Sequence, residues 1–121
     1  MLTGDSDAQA WSNSILVNYD DTEVQSSILL ASHHGSISFF DDPADEKNYY
    51  TGHIKKIKPQ MTVVSVGPNI HGHPDSKAVE LYEKYTAGSK QGNKIFRTDQ
   101  HGNIRLELRD EGGWSITPNQ R

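Results

Sequence analysis

The chain has 121 residues, one domain's worth, and 33% of them are apolar. Its formal net charge of −4 and pI near 5.8 argue against a dedicated nucleic-acid-binding surface, which is usually basic, but not against a nuclease that holds phosphate through a metal. With no cysteine there is no disulfide framework, and any metal site must be built from His, Asp or Glu.

Met1-Leu2-Thr3 reads as the end of a strand one step before a glycine turn, a pattern expected of a piece of something longer. The same residues lack the basic and apolar regions of a signal peptide, and no apolar stretch approaches the roughly 18 residues of a membrane span. Gly4-Asp5-Ser6-Asp7 is turn chemistry. Asp7 or Ser6 can cap a helix over about 7–18, with Ala8, Trp11, Ile15 and Leu16 on one side. Asp20-Asp21-Thr22 breaks it. The continuous apolar run Ile28-Leu29-Leu30 marks a buried strand over 26–32. A loop follows from His33 to Asp45, and its Phe39-Phe40 pair needs cover from the body of the protein or from a partner.

Tyr50, Ile54 and Ile57 fall at helical spacing, which predicts a second helix over 45–57 with Gly52 as a costly interior residue and Lys55, Lys56 and Lys58 at its C-terminal end. Met61 to Val66 is a β-branched strand. His71-Gly72-His73-Pro74 is a loop. A third helix starts at Asp75 or Ser76, carries the stripe Ala78, Leu81, Tyr82, Tyr85, and ends by Gly88. Residues 94–98, 103–109 and 114–117 are expected to form a three-stranded meander, followed by a frayed tail over 118–121. Helix–strand alternation before that meander predicts a layered α/β fold.

The chemistry-bearing residues lie at the ends of the predicted strands. Asp5, after a glycine turn, is either a helix N-cap or a hard oxygen donor able to bridge two metal ions. His33 and His34 are either ordinary loop histidines or a metal-site pair; adjacent side chains point apart, so one would ligate and the other would orient a carboxylate or contact substrate. His71 and His73 share the spacing of an HxH ligand pair, but Gly72 and Pro74 weaken it, and His73 suits a general acid or a phosphate contact. His53 and His101 are most simply solvent-facing.

Leu2-Thr3-Gly4-Asp5, Ala31-Ser32-His33-His34-Gly35-Ser36, Ser65-Val66-Gly67, Gly72-His73-Pro74 and Phe96-Arg97-Thr98-Asp99 with Gly102 occur in that order. This set resembles the C-terminal half of a metallo-β-lactamase-fold hydrolase, in the branch that includes the hydrolase domain of the DNA-uptake protein ComEC and related competence proteins. The resemblance runs from Leu2 to about Leu108. It implies the second half of an αββα sandwich, a mixed sheet with flanking helices, and a zinc or manganese centre that hydrolyses a phosphodiester or related ester by attack of a metal-bound hydroxide. It implies Asp5 and His34 as metal ligands, His33 as a neighbour or substrate contact, His73 as the histidine of a GHP motif near the active site, and Asp99 as a structural residue holding the next turn.

The resemblance also exposes a gap. The family's first metal motif, HxHxDH, is absent from this sequence. Two or three of the usual ligands make a weak site, since zinc takes four, or three plus water. The chain is therefore expected to be incomplete and inactive alone, needing an N-terminal half-domain or self-association. The alternative is a non-catalytic module that pairs with another chain. An apolar fraction below the roughly 45–50% of ordinary domains, counted with glycine, fits a surface meant to pack against something else. Nucleic acid, cyclic nucleotide, lactone and phosphocholine ester remain open as substrates, because fold does not settle function.

Overall fold

The computed structural model describes residues 1–42, 47–88 and 94–119. Three strands, β1 (Ile28–Leu30), β2 (Met61–Val64) and β3 (Ile95–Arg97), form a parallel sheet in the order β1-β2-β3. Residues 1–3 lie parallel along the other edge of β1. Leu2 bridges Leu30, the Leu30 N–H donates to the Met1 carbonyl at 2.9 Å, and Thr3 Oγ1 donates to the Leu30 carbonyl at 2.7 Å. Parallel neighbours need long crossovers, and helices supply them.

The first crossover carries α1 (Ala8–Ala10), a π-helical turn over Trp11–Ile15, α2 (Leu16–Asn18) and α3 (Asp21–Val24). The second carries α4 (Gly52–Ile57), and the third α5 (Ser76–Tyr85). After β3 come α6 (Thr98–His101) and an antiparallel pair, β4 (Ile104–Leu108) with β5 (Trp114–Pro118). The chain is mixed α/β, with one small parallel and one small antiparallel sheet. No helix among the described residues is long and apolar enough to cross a membrane.

The strand register sorts the parallel sheet into two unlike faces. Leu29, Thr62 and Val64 share one face and are fully buried against the helices. There they join Trp11, Val24, Phe39, Phe40, Ile54, Ile57, Ala78, Leu81 and Tyr82 in the core. The other face presents Met61 and Phe96, both buried, then Ile28, Leu30 and Val63, which are half-buried, and Leu2, which is 84% exposed.

Several expectations change. The second helix is only α4: Tyr49 bridges Asp41, and the Tyr50 N–H donates to the Phe40 carbonyl at 2.7 Å, so that backbone is committed to an antiparallel pairing. Gly52 thus opens the helix and carries no interior penalty, while Asp45 and Glu46 lie outside the described residues. Asp20 does more than break the first helix. It caps α3 through a reciprocal capping box with Glu23.

The three-stranded meander does not form. β3 pairs in parallel with β2, α6 intervenes, and only β4 and β5 make a hairpin. Gly88 is left-handed but stands beyond the end of α5, where its N–H donates to the Gln60 carbonyl. Phe39 and Phe40 find their cover inside the protein, against His53 and Tyr82. Residues 120 and 121 of the expected tail lie outside the described residues.

Candidate functional site

In an open parallel sheet the strands leave a crevice at their carboxyl ends, where loops diverge and ligands bind. Each residue singled out for chemistry stands at that edge. Asp5 follows the strand segment 1–3, His33 and His34 follow β1, the segment from Ser65 to His73 follows β2, and Asp99 follows β3.

The histidine turn is built with left-handed backbone. His33 has φ 48° and His34 φ 54°, a region that non-glycine residues visit at a cost of roughly 1–2 kcal/mol each. The neighbours hold it there. The His33 N–H donates to the Gly4 carbonyl at 2.8 Å. The fully buried Ser32 hydroxyl bonds to the Ser6 and Gly4 carbonyls, and the Ser32 N–H donates to the Tyr82 hydroxyl at 3.2 Å. Burial pushes the Tyr82 hydroxyl above its ordinary pKa, so it stays a neutral acceptor. Ser32 thereby ties the Asp5 turn to the histidine turn. Its only sequence signal was its place inside the Ser32-His33-His34-Gly35 run.

A cavity of about 180 Å³ is lined by Asp5, His33, His34 and Ser65 together with Gly4, Leu30 and Ala31. His34 Nδ1 donates to the Ser65 carbonyl at 2.7 Å. That orients the ring and leaves Nε2 without a partner among the described residues. Outer-shell carbonyls orient metal-ligating histidines in the same way. His33 instead packs against His73, with ring centroids 5.2 Å apart.

His73 is held below the ordinary histidine pKa, first by lost solvation and then by the imidazoles of His33, His71 and His34, with Asp75 pulling the other way. It is therefore neutral at pH 7. Its loop is organised by Asn69, a residue no motif pointed to. The Asn69 Oδ1 accepts from the N–H groups of His71 and His73 at 3.0 Å each, and its amide donates to the carbonyls of Gly67 and His73. Gly35 docks this loop against the histidine turn: its carbonyl accepts the Asp75 N–H at 3.0 Å, and a β-carbon on it would fall 2.6 Å from Pro74 Cβ. His34, His71 and His73 share a second cavity of about 260 Å³, and a third of about 450 Å³ runs on to Thr98, Asp99 and Asn103.

The remaining assignments divide. Asp99 accepts both ends of an Arg97 guanidinium fork, at 3.0 and 2.7 Å, which holds its carboxyl below the usual range. It braces the end of β3, the strand before it. Thr98 joins β3 to the end of β2, since its Oγ1 accepts the Val66 N–H and donates to the Val66 carbonyl, both at 2.8 Å. His53 is not solvent-facing. It is fully buried, with Nε2–H donating to the Phe39 carbonyl and Nδ1 accepting the Ile54 N–H, and burial lowers its pKa to about 4. His101 is half-buried against Phe96, and its Nδ1 accepts the Arg97 N–H at 3.0 Å.

Comparison of the chain with protein-family models, with curated proteins and with solved structures finds no match. The site must be judged on its own donors. A carboxylate and an oriented imidazole on one cavity suit a divalent metal. Yet among the described residues no group of three or more His, Asp or Glu is placed to hold one. Asp5 and His34 fit as two donors, and the set is not closed.

Proposed function

We propose that this edge is one wall of a metal-dependent hydrolase centre, in the second half of a metallo-β-lactamase-type αββα sandwich that acts on a phosphodiester or related ester. The observation that carries the reading is the shared cavity of Asp5 and His34, with His34 oriented through Nδ1. Zinc accepts that donor pair, and manganese does too. When bound, such an ion lowers the pKa of a water toward 7 and makes it a nucleophile at neutral pH.

This chain's residues supply the surroundings. His73, neutral at pH 7 and packed on His33, can accept or donate a proton at its ring nitrogen where an ester oxygen departs. His33 closes the cavity beside it as a substrate contact. A working site takes three donors and a water, or four donors, so the reading assigns the rest to a half-domain bearing an HxHxDH motif. Alone, the chain is inactive. The test is metal content after reconstitution with such a half. Retention of about one ion or more, lost in both Asp5→Ala and His34→Ala, supports the reading; no retained metal, or retention indifferent to both changes, overturns it.

A second reading is a non-catalytic module that pairs with another chain or with itself. It is favoured by the partly exposed apolar strip of Leu2, Ile28, Leu30 and Val63 on the β1 side of the sheet, beyond the buried Met61 and Phe96 of the same face. A dimer in sedimentation with no bound metal favours this reading. A monomer that binds zinc at micromolar affinity counts against it.

A further inference from the structure

At the opposite end of β2 from the histidines, before Met61, lies a cavity of about 360 Å³ lined by Ile54, Lys55, Lys58, Pro59 and Lys84 with Tyr85, Thr86 and Ala87. Three lysines line it, with no carboxylate among the described lining residues. That is unexpected in a chain with 16 acidic and 12 basic residues. Lys56, the fourth lysine nearby, is absent from the lining and pairs with Asp21 at 2.9 Å. Lys55, Lys58 and Lys84 have no ion-pair partner among the described residues.

The lysines are arranged rather than merely close. Lys55 Nζ and Lys84 Nζ stand 5.7 and 5.4 Å from the centroid of the same Tyr85 ring, within the range where a ring quadrupole attracts a cation. Lys58 ends α4 in left-handed conformation, φ 51°, a position glycine usually takes. The wall of the cavity is tied down, with the Ala87 N–H donating to the Pro59 carbonyl at 2.9 Å.

Lysines at helix C-termini also complement the helix dipole, and α4 and α5 both end here. That cannot absorb the charge. Two helix ends carry about half a negative charge each, against three ammonium groups. A positive surplus remains along the lining of this shallow cavity.

We propose that this cavity binds a phosphate-bearing ligand of charge −2 or more. The three ammonium groups contact its oxygens as point charges, and Tyr85 preorganises two of them. The site lies roughly 13 Å or more from the histidine edge, the length of the four-residue β2. It therefore stands or falls separately from the hydrolase reading.

The test titrates pyrophosphate into the whole chain and follows backbone and Tyr85 ring resonances by NMR at constant ionic strength. Saturable shifts are expected at Lys55, Lys58, Lys84 and Tyr85. In the doubly substituted Lys55→Gln/Lys84→Gln protein the affinity should fall by about tenfold or more, the scale of one charge-assisted hydrogen bond. Both lysines are exposed, and an unchanged spectrum elsewhere verifies the fold. Tyr85→Leu keeps bulk against the core and should weaken binding severalfold. Asp5→Ala should leave it unchanged. Non-saturating shifts, an affinity indifferent to the double substitution, or shifts centred on His33 and His73 would each overturn the proposal.

Discussion

His53 and His34 are the same residue type put to opposite uses. His53 has both ring nitrogens engaged by backbone within the core and is stacked on Phe39 at 3.9 Å between centroids, with Trp11, Phe40 and Tyr50 around it. Nothing is left for a ligand. His34 has one nitrogen engaged and one open, on an exposed turn that lines two cavities. The difference teaches that pairing of the ring nitrogens, more than burial, separates a structural histidine from a candidate ligand. Core histidines satisfy both positions, while a ligand keeps one in reserve.

The comparison breaks first at the joint between the two histidine-bearing loops. Gly35→Ala would place a β-carbon 2.6 Å from Pro74 Cβ and 3.2 Å from Val64 Cγ1, at a residue with φ 83°. Overpacking and the left-handed penalty together should cost about 4 kcal/mol. Denaturant unfolding reads that loss, and NMR should show His73 resonances moving with it. A loss below about 1 kcal/mol would mean the loops are not docked as described.

Acid acts on the core histidine. The His53 pKa is about 4 in the fold against an ordinary 6.5. Between these values the unfolded chain binds more protons, so stability is fully present above pH 6.5 and falls as pH drops toward 4. The total is about 3 kcal/mol, from the size of the shift. Melting curves over that window should lose this component in His53→Leu. If the slope survives the substitution, another group carries it.

Tyr82→Phe tests the support beneath the edge. The Ser32 N–H would lose its buried acceptor, at a cost of about 2 kcal/mol. Because Ser32 joins the Asp5 and His33 turns, this change should also loosen the cavity, seen as faster amide exchange at His33. Normal exchange at His33 would separate the core from the site.

Much of this was legible in the sequence, and the failures have physical causes. The helix of 76–85 was legible because Asp75 caps it and Ala78, Leu81 and Tyr82 repeat at its period. β1 and β2 were legible as apolar runs, the mark of strands covered on a face. The strands bring Asp5, His33, His34 and His73 to one edge, as their positions at strand ends implied. What escaped was non-local. Tyr50 has helical spacing to Ile54, yet its N–H is claimed by the Phe40 carbonyl. His53 sits among lysines in sequence but faces Trp11 and Phe39 in space. The partner of β3 could not be read from its own residues, because a parallel pairing is decided by the helix that crosses between. Asn69 and Ser32 gave no motif because their work is hydrogen bonding to backbone.

The smallest expected effect sharpens the comparison most. His34 sits at φ 54°, where glycine carries no β-carbon penalty. His34→Gly should therefore leave stability unchanged or raise it by about 1 kcal/mol, after the loss of one hydrogen bond to Ser65 is set against the relieved strain. A structural histidine would behave like His53, whose removal costs core packing. If His34→Gly is instead destabilising by about 2 kcal/mol or more, the imidazole is part of the scaffold and not held in reserve. If it is neutral or stabilising, and the reconstituted protein also loses its metal, then this backbone keeps a strained histidine for a ligand and not for the fold.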